Sequence, residues 1–513
     1  MAYGGYSYLE PRYKPGRNDF VVLVWAKGNA HINTLAEAIA AESSVGTFTK
    51  IRTMNERVFR HYRAHVFEIT KVSEDSGFIK IAYPLEHFDQ KNVIQFCASV
   101  LGNIYGLLEV EELYIMDISF PEKYQRQFKG PIGMEAIRRY IGTNKSRRPH
   151  CGTIVKPKVG LNPKEFGDVA YKVLSNGLDL VKDDENLVDQ EFCKWRDRVD
   201  LVNRAMDAAE RETGEKKLYC CNISDSSIER MEKRLDYMHS HGLKLVMLDA
   251  FVLGMPATMH MTNLAHRYRM FTHAHRAGYA ALHRGNYGYS FGVLEKFYRL
   301  IGLDQIHVGT GVGKMDGAPH TIRRFARIAT NMEVKAGIAE GGLEISRFDK
   351  SIAPVMPVAS GGLHAGLTEG IYEIFGSDFT MQAGGGVHGH PRGSEAGAKA
   401  LRAAADAIGE GVTLEEKAKI SKELREGLKK FGYVKGYNVR RMLNFYDENT
   451  ALFEMIVRKQ GMSAIRMFDR TFDARGGAQE RPILEAGKAG PNMEPRPEKK
   501  HGEEGWLSKI LKL

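Results

Sequence analysis

Leu178-Asp179-Leu180-Val181-Lys182-Asp183-Asp184-Glu185-Asn186 reads as an apolar strand ending in one lysine and three carboxylates. In an extended strand, side chains at i and i+2 point to one face. Lys182 and Asp184 therefore look the same way, and Glu185 joins them where the strand gives way to loop. Two carboxylates suit a hard cation such as Mg²⁺. An ammonium in the same cluster would repel it, so Lys182 either stands back as an ion-pair partner or loses its charge. A neutral amine adds CO₂ to become a carbamate, which would make the lysine a third oxygen ligand. Taken alone, a strand-end salt-bridge cluster also accounts for this stretch; its surroundings decide.

From residue 150 onward the pattern is a repeating strand-then-helix rhythm. The expected strands are Gly152–Pro157, Leu178–Lys182, Lys217–Ile223, Leu243–Leu248, Phe271–His275, Gln305–Gly309, Ala353–Ala359 and Phe379–Gly384. Eight such units argue for a (β/α)8 TIM barrel, whose active site lies at the carboxyl ends of the strands. Taken in order, those ends carry Lys156 and Lys158; Lys182, Asp184 and Glu185; Asn222; Asp249; His275 and Arg276; His307; Ser360 to Gly362; and Gly384 to Gly386. Any one of these has an ordinary structural explanation. Eight polar or glycine-rich ends on one rim do not.

The residue types point to a reaction class. Glycine-rich strand ends with free backbone N–H groups cradle phosphates, and Ser360–Gly362 and Gly384–Gly386 form two such sets. Arg276 and His307 could clamp a second phosphate, so a substrate phosphorylated at both ends would span the barrel mouth. Lys156 is then placed to move a proton at a carbon next to a carbonyl, provided its cationic neighbours lower its pKa. A metal holding that carbonyl and an adjacent hydroxyl would stabilise the enediolate. Lys314 lies in Gly309-Thr310-Gly311-Val312-Gly313-Lys314, a lid with Gly311 and Gly313 as hinges.

At 513 residues the chain exceeds one ordinary core. Alternating apolar runs at Asp19–Trp25, Ala64–Ile69, Gly77–Tyr83 and Val110–Ile118, with helical stretches His31–Glu42 and Gln90–Gly102, read as an α+β domain with a largely antiparallel sheet. The expected division is an amino-terminal domain over 1–140, the catalytic barrel over 141–433, a helical extension over 434–473 and a flexible tail over 474–513. That tail ends in a short amphipathic stretch, Trp506–Leu513. The composition, 43% hydrophobic and 27% charged, is that of an ordinary soluble protein. Five cysteines without framework spacing and no signal peptide point to a reducing cytoplasm. No membrane span is expected. The net charge of +10 is dispersed among nearly as many acids, so no nucleic-acid partner is expected, and a doubly phosphorylated substrate explains part of the excess.

The ordered motifs resemble the large subunit of ribulose-1,5-bisphosphate carboxylase/oxygenase, RuBisCO. They are Gly-Thr-Ile-Val-Lys-Pro-Lys (152–158), the run at 177–186, His-Ala-His-Arg-Ala-Gly (273–278), Ile-His-Val-Gly-Thr-Gly-Val-Gly-Lys (306–314), Ala-Ser-Gly-Gly-Leu-His (359–364) and Gly-Gly-Gly-Val-His-Gly-His-Pro (384–391). The resemblance implies carboxylation, and competing oxygenation, of ribulose 1,5-bisphosphate to 3-phosphoglycerate. It makes Lys182 the carbamylated lysine, formed with an activating CO₂, and Asp184 and Glu185 its partners on Mg²⁺. Lys156 becomes the enolising and reprotonating group with Lys158 beside it, and Lys314 the lid lysine that holds the new carboxylate. His275 and His307 serve acid/base and substrate contacts, while Arg276, Ser360, Gly362, Gly384 and Gly385 hold the bisphosphate. Glu42, Thr47 and Asn103 match positions that reach into a neighbouring subunit's barrel, which implies a homodimer or an oligomer of dimers.

Phe48 stands where plant-type chains have Trp, and the motif wording is closer to the archaeal form III or II/III groups. An assembly of large subunits without a small subunit is therefore expected. Two other readings compete. A RuBisCO-like enolase of methionine salvage would lack several bisphosphate contacts and the lid lysine, and a non-catalytic assembly protein would have broken catalytic positions; here all of these stand.

Overall fold

The structure is a computed structural model that describes residues 3–472. The expected amphipathic end of the tail, Trp506–Leu513, lies outside the described residues. The amino-terminal strands are β1 (Asp19–Gly28), β2 (His65–Ser73), β3 (Ser76–Pro84) and β4 (Val110–Ser119). Alternating β-branched and aromatic residues pair β1 antiparallel to both β3 and β4, with Val22 opposite Ile81 and Ile118. The alanine-rich helix Ile32–Glu42 packs across β1, β2 and β3.

Eight parallel strands then close into a barrel: β5 (His150–Ile154), β6 (Leu180–Lys182), β7 (Leu218–Asn222), β8 (Leu245–Leu248), β9 (Phe271–Ala274), β11 (Gln305–His307), β14 (Met356–Ser360) and β15 (Thr380–Gln382). Three further strands fall between them: β10 (Tyr287–Tyr289) and the hairpin β12 (Glu333–Lys335) and β13 (Ile345–Arg347). The barrel strands sit where the sequence places them but are mostly shorter. The first stops before Lys156-Pro157, because Pro157 has no N–H with which to continue the ladder. β10 was not anticipated: it joins the edge of the amino-terminal sheet, parallel to β4, and ties barrel to domain.

The inside of the barrel shows strand parity directly. Leu180, Leu218, Cys220, Leu245, Met247, Phe271 and Met356 form one apolar cluster inside it, plugged by Met134, Ile137 and Ile141 of the helix Met134–Ile141. This helix spans the expected boundary near residue 140. The residues between them along the chain, such as Val181, Tyr219, Val246 and Ala274, belong to the outer core under the helices. Gly152 has no room for a side chain, since a Cβ there would lie 2.4 Å from Leu180 Cγ.

Beyond the barrel, helices Gly436–Glu448, Thr450–Gln460 and Met462–Thr471 fold back onto it. The five cysteines are all free thiols. Among the described residues no helix is long and apolar enough to cross a membrane.

Candidate active site

Counting in steps of two along each strand from its inward apolar residues leads to the rim. Leu180 is followed by Lys182 and Asp184, Cys220 by Asn222, Met247 by Asp249, Phe271 by His273 and His275, and Met356 by Val358 and Ser360. The same parity leads from Gly152 to Lys156, from Gln305 to His307 and from Thr380 to Gly384. On most strands one element therefore builds both core and site, apolar at its lower inward positions and polar or glycine at the last; Gln305 and Thr380 are buried polar exceptions lower down.

Most of these groups, though not Asn222, Asp249 or His273, open into one cavity of about 920 Å³. Lys156, Lys158, Lys182, Asp184, Glu185, His275, Arg276, His307, Lys314, Ser360, Gly362, Gly384 and Gly385 all line it. Glu42, Thr47 and Asn103 do not. Asn103 Nδ2 donates to Glu42 Oε1 at 3.3 Å on the amino-terminal domain, near the largely exposed Phe48, so one chain does not bring these three residues to its own site.

Lys182 is buried at the cavity floor and donates to the backbone oxygen of Asp183 at 2.7 Å. Asp184 is ion-paired with Lys156, and Lys158 Nζ lies 3.5 Å from Asp184 Oδ1 and 3.1 Å from Glu185 Oε1. Burial works against ionisation of Glu185, but hydrogen bonds, including one from Lys158, outweigh it and hold its carboxyl below the usual range. Burial is the chief cause that lowers Lys156, against the pull of Asp184 and with smaller help from Lys158. The direction agrees with the sequence expectation, whereas the leading cause is desolvation and not a neighbouring cation.

Asp183 takes the opposite parity. It is fully buried behind the site, where its carboxylate accepts from Tyr219 Oη at 2.7 Å and the Asn222 backbone N–H at 2.9 Å, with Arg198 Nη2 at 3.3 Å. Of the three carboxylates that end the opening stretch, two face the cavity and one braces the strand.

His275 lies between two acids, with Nε2 3.8 Å from Glu185 Oε2 and Nδ1 3.7 Å from Asp249 Oδ1. Its ring centroid is 4.8 Å from that of His307. Burial lowers both histidines well below their ordinary pKa, reinforced at each by the Lys182 charge, so both are neutral near pH 7. Asp249 is pushed up to about 6, chiefly by burial, and accepts from Asn222 Nδ2 at 3.1 Å. The sequence marked Asn222 and Asp249 as strand ends without giving them a role; their contact with each other and with His275 is a product of the barrel.

The glycine sets are open where a ligand needs them open. Gly361 and Gly362 adopt φ of 119° and 70°, in the left-handed region that favours glycine, and a Cβ on Gly362 would lie 2.5 Å from Lys314 Cγ. A Cβ on Gly385 would meet nothing within 4 Å. The lid lies down on this turn, with the Lys314 backbone N–H donating to Gly361 O at 3.2 Å. Of the two expected hinges, Gly311 has a positive φ of 68°, as does Gly309 at 107°. Gly313 is required instead for close approach, since a Cβ there would lie 2.6 Å from Gly361 O.

Among the described residues no three His, Cys, Asp or Glu side chains are arranged for a metal ion. The donors at the rim are two carboxylates and a lysine, which become three oxygen donors only when the lysine carries a carboxyl group. Both carboxylates already attract cations, the ammonium groups of Lys156 and Lys158. The residues present thus fit a hard divalent ion at Asp184, Glu185 and a carbamylated Lys182.

Fold and site together define a barrel enzyme with a carboxylate-and-lysine centre flanked by two glycine-rich strand ends. The chain belongs to the RuBisCO large-chain family. Residues 7–124 match the model of the ribulose bisphosphate carboxylase large chain N-terminal domain, and residues 134–431 that of its catalytic domain. The ribulose bisphosphate carboxylase of Methanocaldococcus jannaschii is 42% identical over 428 residues, 82% of this chain and 99% of that one. The Pyrococcus furiosus enzyme of the same name is 40% identical over 433 residues, 84% of this chain and 98% of that one. Among solved structures, the dimeric archaeal Rubisco of Hyperthermus butylicus has a TM-score of 0.77 at 36% identity, covering 83% of this chain and 99% of that one. The octameric enzyme of Pyrococcus horikoshii has a TM-score of 0.75 at 38% identity, covering 82% and 96%.

Proposed function

We propose that this protein carboxylates ribulose 1,5-bisphosphate to 3-phosphoglycerate, with O₂ as the competing co-substrate. The observation that carries this reading is the delivery of Lys156, Lys182, Asp184, His275, His307, Ser360 and Gly384 to one cavity by the inward parity of their strands, in a chain of this family. The Ser360–Gly362 turn and Gly384–Gly385 hold one phosphate through backbone N–H groups. Arg276 and His307 take the other. Lys156, partly desolvated and beside Asp184, abstracts and returns the proton at the carbon next to the carbonyl. Lys158 and His275 orient the substrate oxygens, and Lys314 covers the reacting carbons when the lid is down. Mg²⁺ held by Asp184, Glu185 and the carbamate of Lys182 supplies Lewis-acid stabilisation of the charge that develops on those oxygens. Purified protein incubated with CO₂ and Mg²⁺ is expected to form 3-phosphoglycerate from ribulose bisphosphate and labelled CO₂. Proton exchange at carbon 3 without any CO₂-dependent product would instead favour an enolase.

Glu42, Thr47 and Asn103 lie away from the chain's own cavity yet resemble substrate-facing positions, so the smallest active species is a homodimer that shares sites. Subunits carrying Glu42→Gln and Lys182→Ala, each inactive alone, are expected to recover activity when mixed, because one of the two sites in each heterodimer is intact. No recovery under proven subunit exchange would reject the shared site.

A further inference from the structure

The motif Gly-Gly-Gly-Val-His-Gly-His-Pro holds a histidine, His388, that does not line the cavity and to which the reaction above gives no task. It closes the short helix Gly384–His388, directly after strand β15, behind the seam where β15 pairs with β5. Thr153 shares that outer side, since its neighbours Gly152 and Ile154 take the inward parity. Along the seam the backbone ladder reaches the Ala383 N–H, which donates to Gly152 O at 3.0 Å. One step further, side chains take over. His388 Nε2 lies 3.1 Å from Ile154 O and 3.0 Å from Thr153 Oγ1, and Thr153 Oγ1 donates to Ala383 O at 3.0 Å. His388 Nδ1 lies 2.9 Å from Ser394 Oγ, in the first turn of the helix Gly393–Glu410. A carbonyl oxygen only accepts, so Nε2 carries the proton and Nδ1 accepts from Ser394. The bonds therefore run one way, from Ser394 to His388, from His388 to Ile154 O and Thr153, and from Thr153 to Ala383 O. Burial, opposed by the bond to Ile154 O and helped by the Lys156 charge, lowers the His388 pKa to about 4, so the ring is neutral near pH 7.

This strap sits just ahead of two functional groups. Ile154 is two residues before Lys156, and Ala383 is one before Gly384. Lys156 lies directly on Gly384, where a Cβ would be 3.0 Å from Lys156 Cε and 3.5 Å from Ile154 O. We propose that His388 is a positioning residue for the proton-transfer step: by bonding Ile154 O and Thr153 it ties the end of β5 to the end of β15 and fixes Lys156 against the Gly384–Gly385 turn. An apolar side chain would fill the space but leave Ile154 O and Ser394 Oγ without this partner. The ring touches no reacting atom and acts only through Ile154 and Thr153.

The kinetic part of this inference rests on the carboxylase reading; the strap itself does not. Per carbamylated site, counted with labelled CO₂, His388→Leu is expected to lower kcat for carbon-3 proton exchange about 10-fold, part of the ~10²-fold that a 1 Å misplacement costs. KM for ribulose bisphosphate should rise less than about 3-fold, because Arg276 and the Ser360–Gly362 turn lie on other strands. Product should fall in step with exchange, since carboxylation needs the enediolate. His388→Gln keeps an N–H for Ile154 O and should recover most of the lost kcat. Independently of turnover, amide hydrogen exchange over 155–158 and 384–387 should quicken about 5- to 10-fold in His388→Leu, the scale of one buried hydrogen bond. Exchange in β8 and β9, across the barrel, should stay at the wild-type rate. If His388→Leu does not fold, Thr153→Val carries the same tests, because it cuts the strap at Ala383 O and leaves the ring in place. Unchanged kcat per site, a KM that rises as much as kcat falls, or a glutamine variant as slow as the leucine one overturns the positioning role. If the wild type shows neither carbon-3 exchange nor product, the carboxylase reading fails and the amide exchange alone decides: unchanged rates at both strand ends overturn the strap.

Discussion

Lys182→Arg is expected to lose carboxylation by at least about 10³-fold, because Lewis-acid stabilisation amounts to several kcal/mol and each ~1.4 kcal/mol is tenfold in rate. Arginine keeps a cation at the cavity floor where an anionic oxygen ligand is required, and its guanidinium does not deprotonate to accept CO₂. The surroundings make the effect specific: Lys182 is buried and lines the cavity beside Asp184 and Glu185, whose present counterions are Lys156 and Lys158. Two carboxylates already paired with two ammonium groups do not make a strong site for a divalent ion; a third anionic ligand shifts that balance. Wild-type protein should therefore need prior incubation with CO₂ and Mg²⁺ to reach full rate. A second readout is independent of turnover: isotopically labelled CO₂ should give a carbamate signal in the wild type that is absent from Lys182→Arg. Near-normal turnover in the variant, or a carbamate signal that survives it, would sink the assignment.

The barrel was legible because its physics is local and repeated. An apolar strand whose last inward residue is polar announces both the strand and the direction of its functional end, and Lys182 and Asp184 could be assigned to one face by counting alone. The same count explains Asp183, although its buried partners Arg198 and Tyr219 come from other elements that no local pattern connects to it. Asn222 and Asp249 were visible as strand ends, but their contact depends on the register of β7 against β8. The cause of the Lys156 shift differs from the sequence expectation for a related reason: cationic neighbours can be read from Lys156-Pro157-Lys158, whereas burial is a property of the closed barrel. The extension is the extreme case. Its helical spacing is plain in the sequence, yet nothing in Met462–Thr471 says that Asp469 will meet Thr321, 148 residues earlier. The three-residue strand Tyr287–Tyr289 carries too short a pattern to separate from loop, and only the open edge of β4 makes it a strand.

Lys314→Ala is expected to keep CO₂-independent exchange of the substrate's carbon-3 proton with solvent while losing product by at least about 10²-fold, the scale of removing one preorganised charge contact. Two lysines carried by different elements of the cavity wall, one at a strand end and one on the lid, make the separation possible. Lys156 emerges from the end of β5, partly desolvated and paired with Asp184, within reach of a proton on a carbon held over the metal ligands. Lys314 comes from the lid, and its backbone is fixed to Gly361 only when the lid lies on the Ser360–Gly362 turn. Its charge is therefore in place after closure and acts on the carboxylate that forms there, not on the earlier proton abstraction. Lys156→Ala should lose both exchange and carboxylation, because no other group in the cavity combines a lowered ammonium pKa with contact to Asp184. Lys314→Arg offers a finer test: it restores charge, but its planar fork is a poor replacement for a compact ammonium at a crowded glycine turn, so it should recover only part of the lost rate. Equal loss of exchange and carboxylation in Lys314→Ala would mean that this lysine supports substrate binding or enolisation, and the division of labour between the two lysines would have to be redrawn.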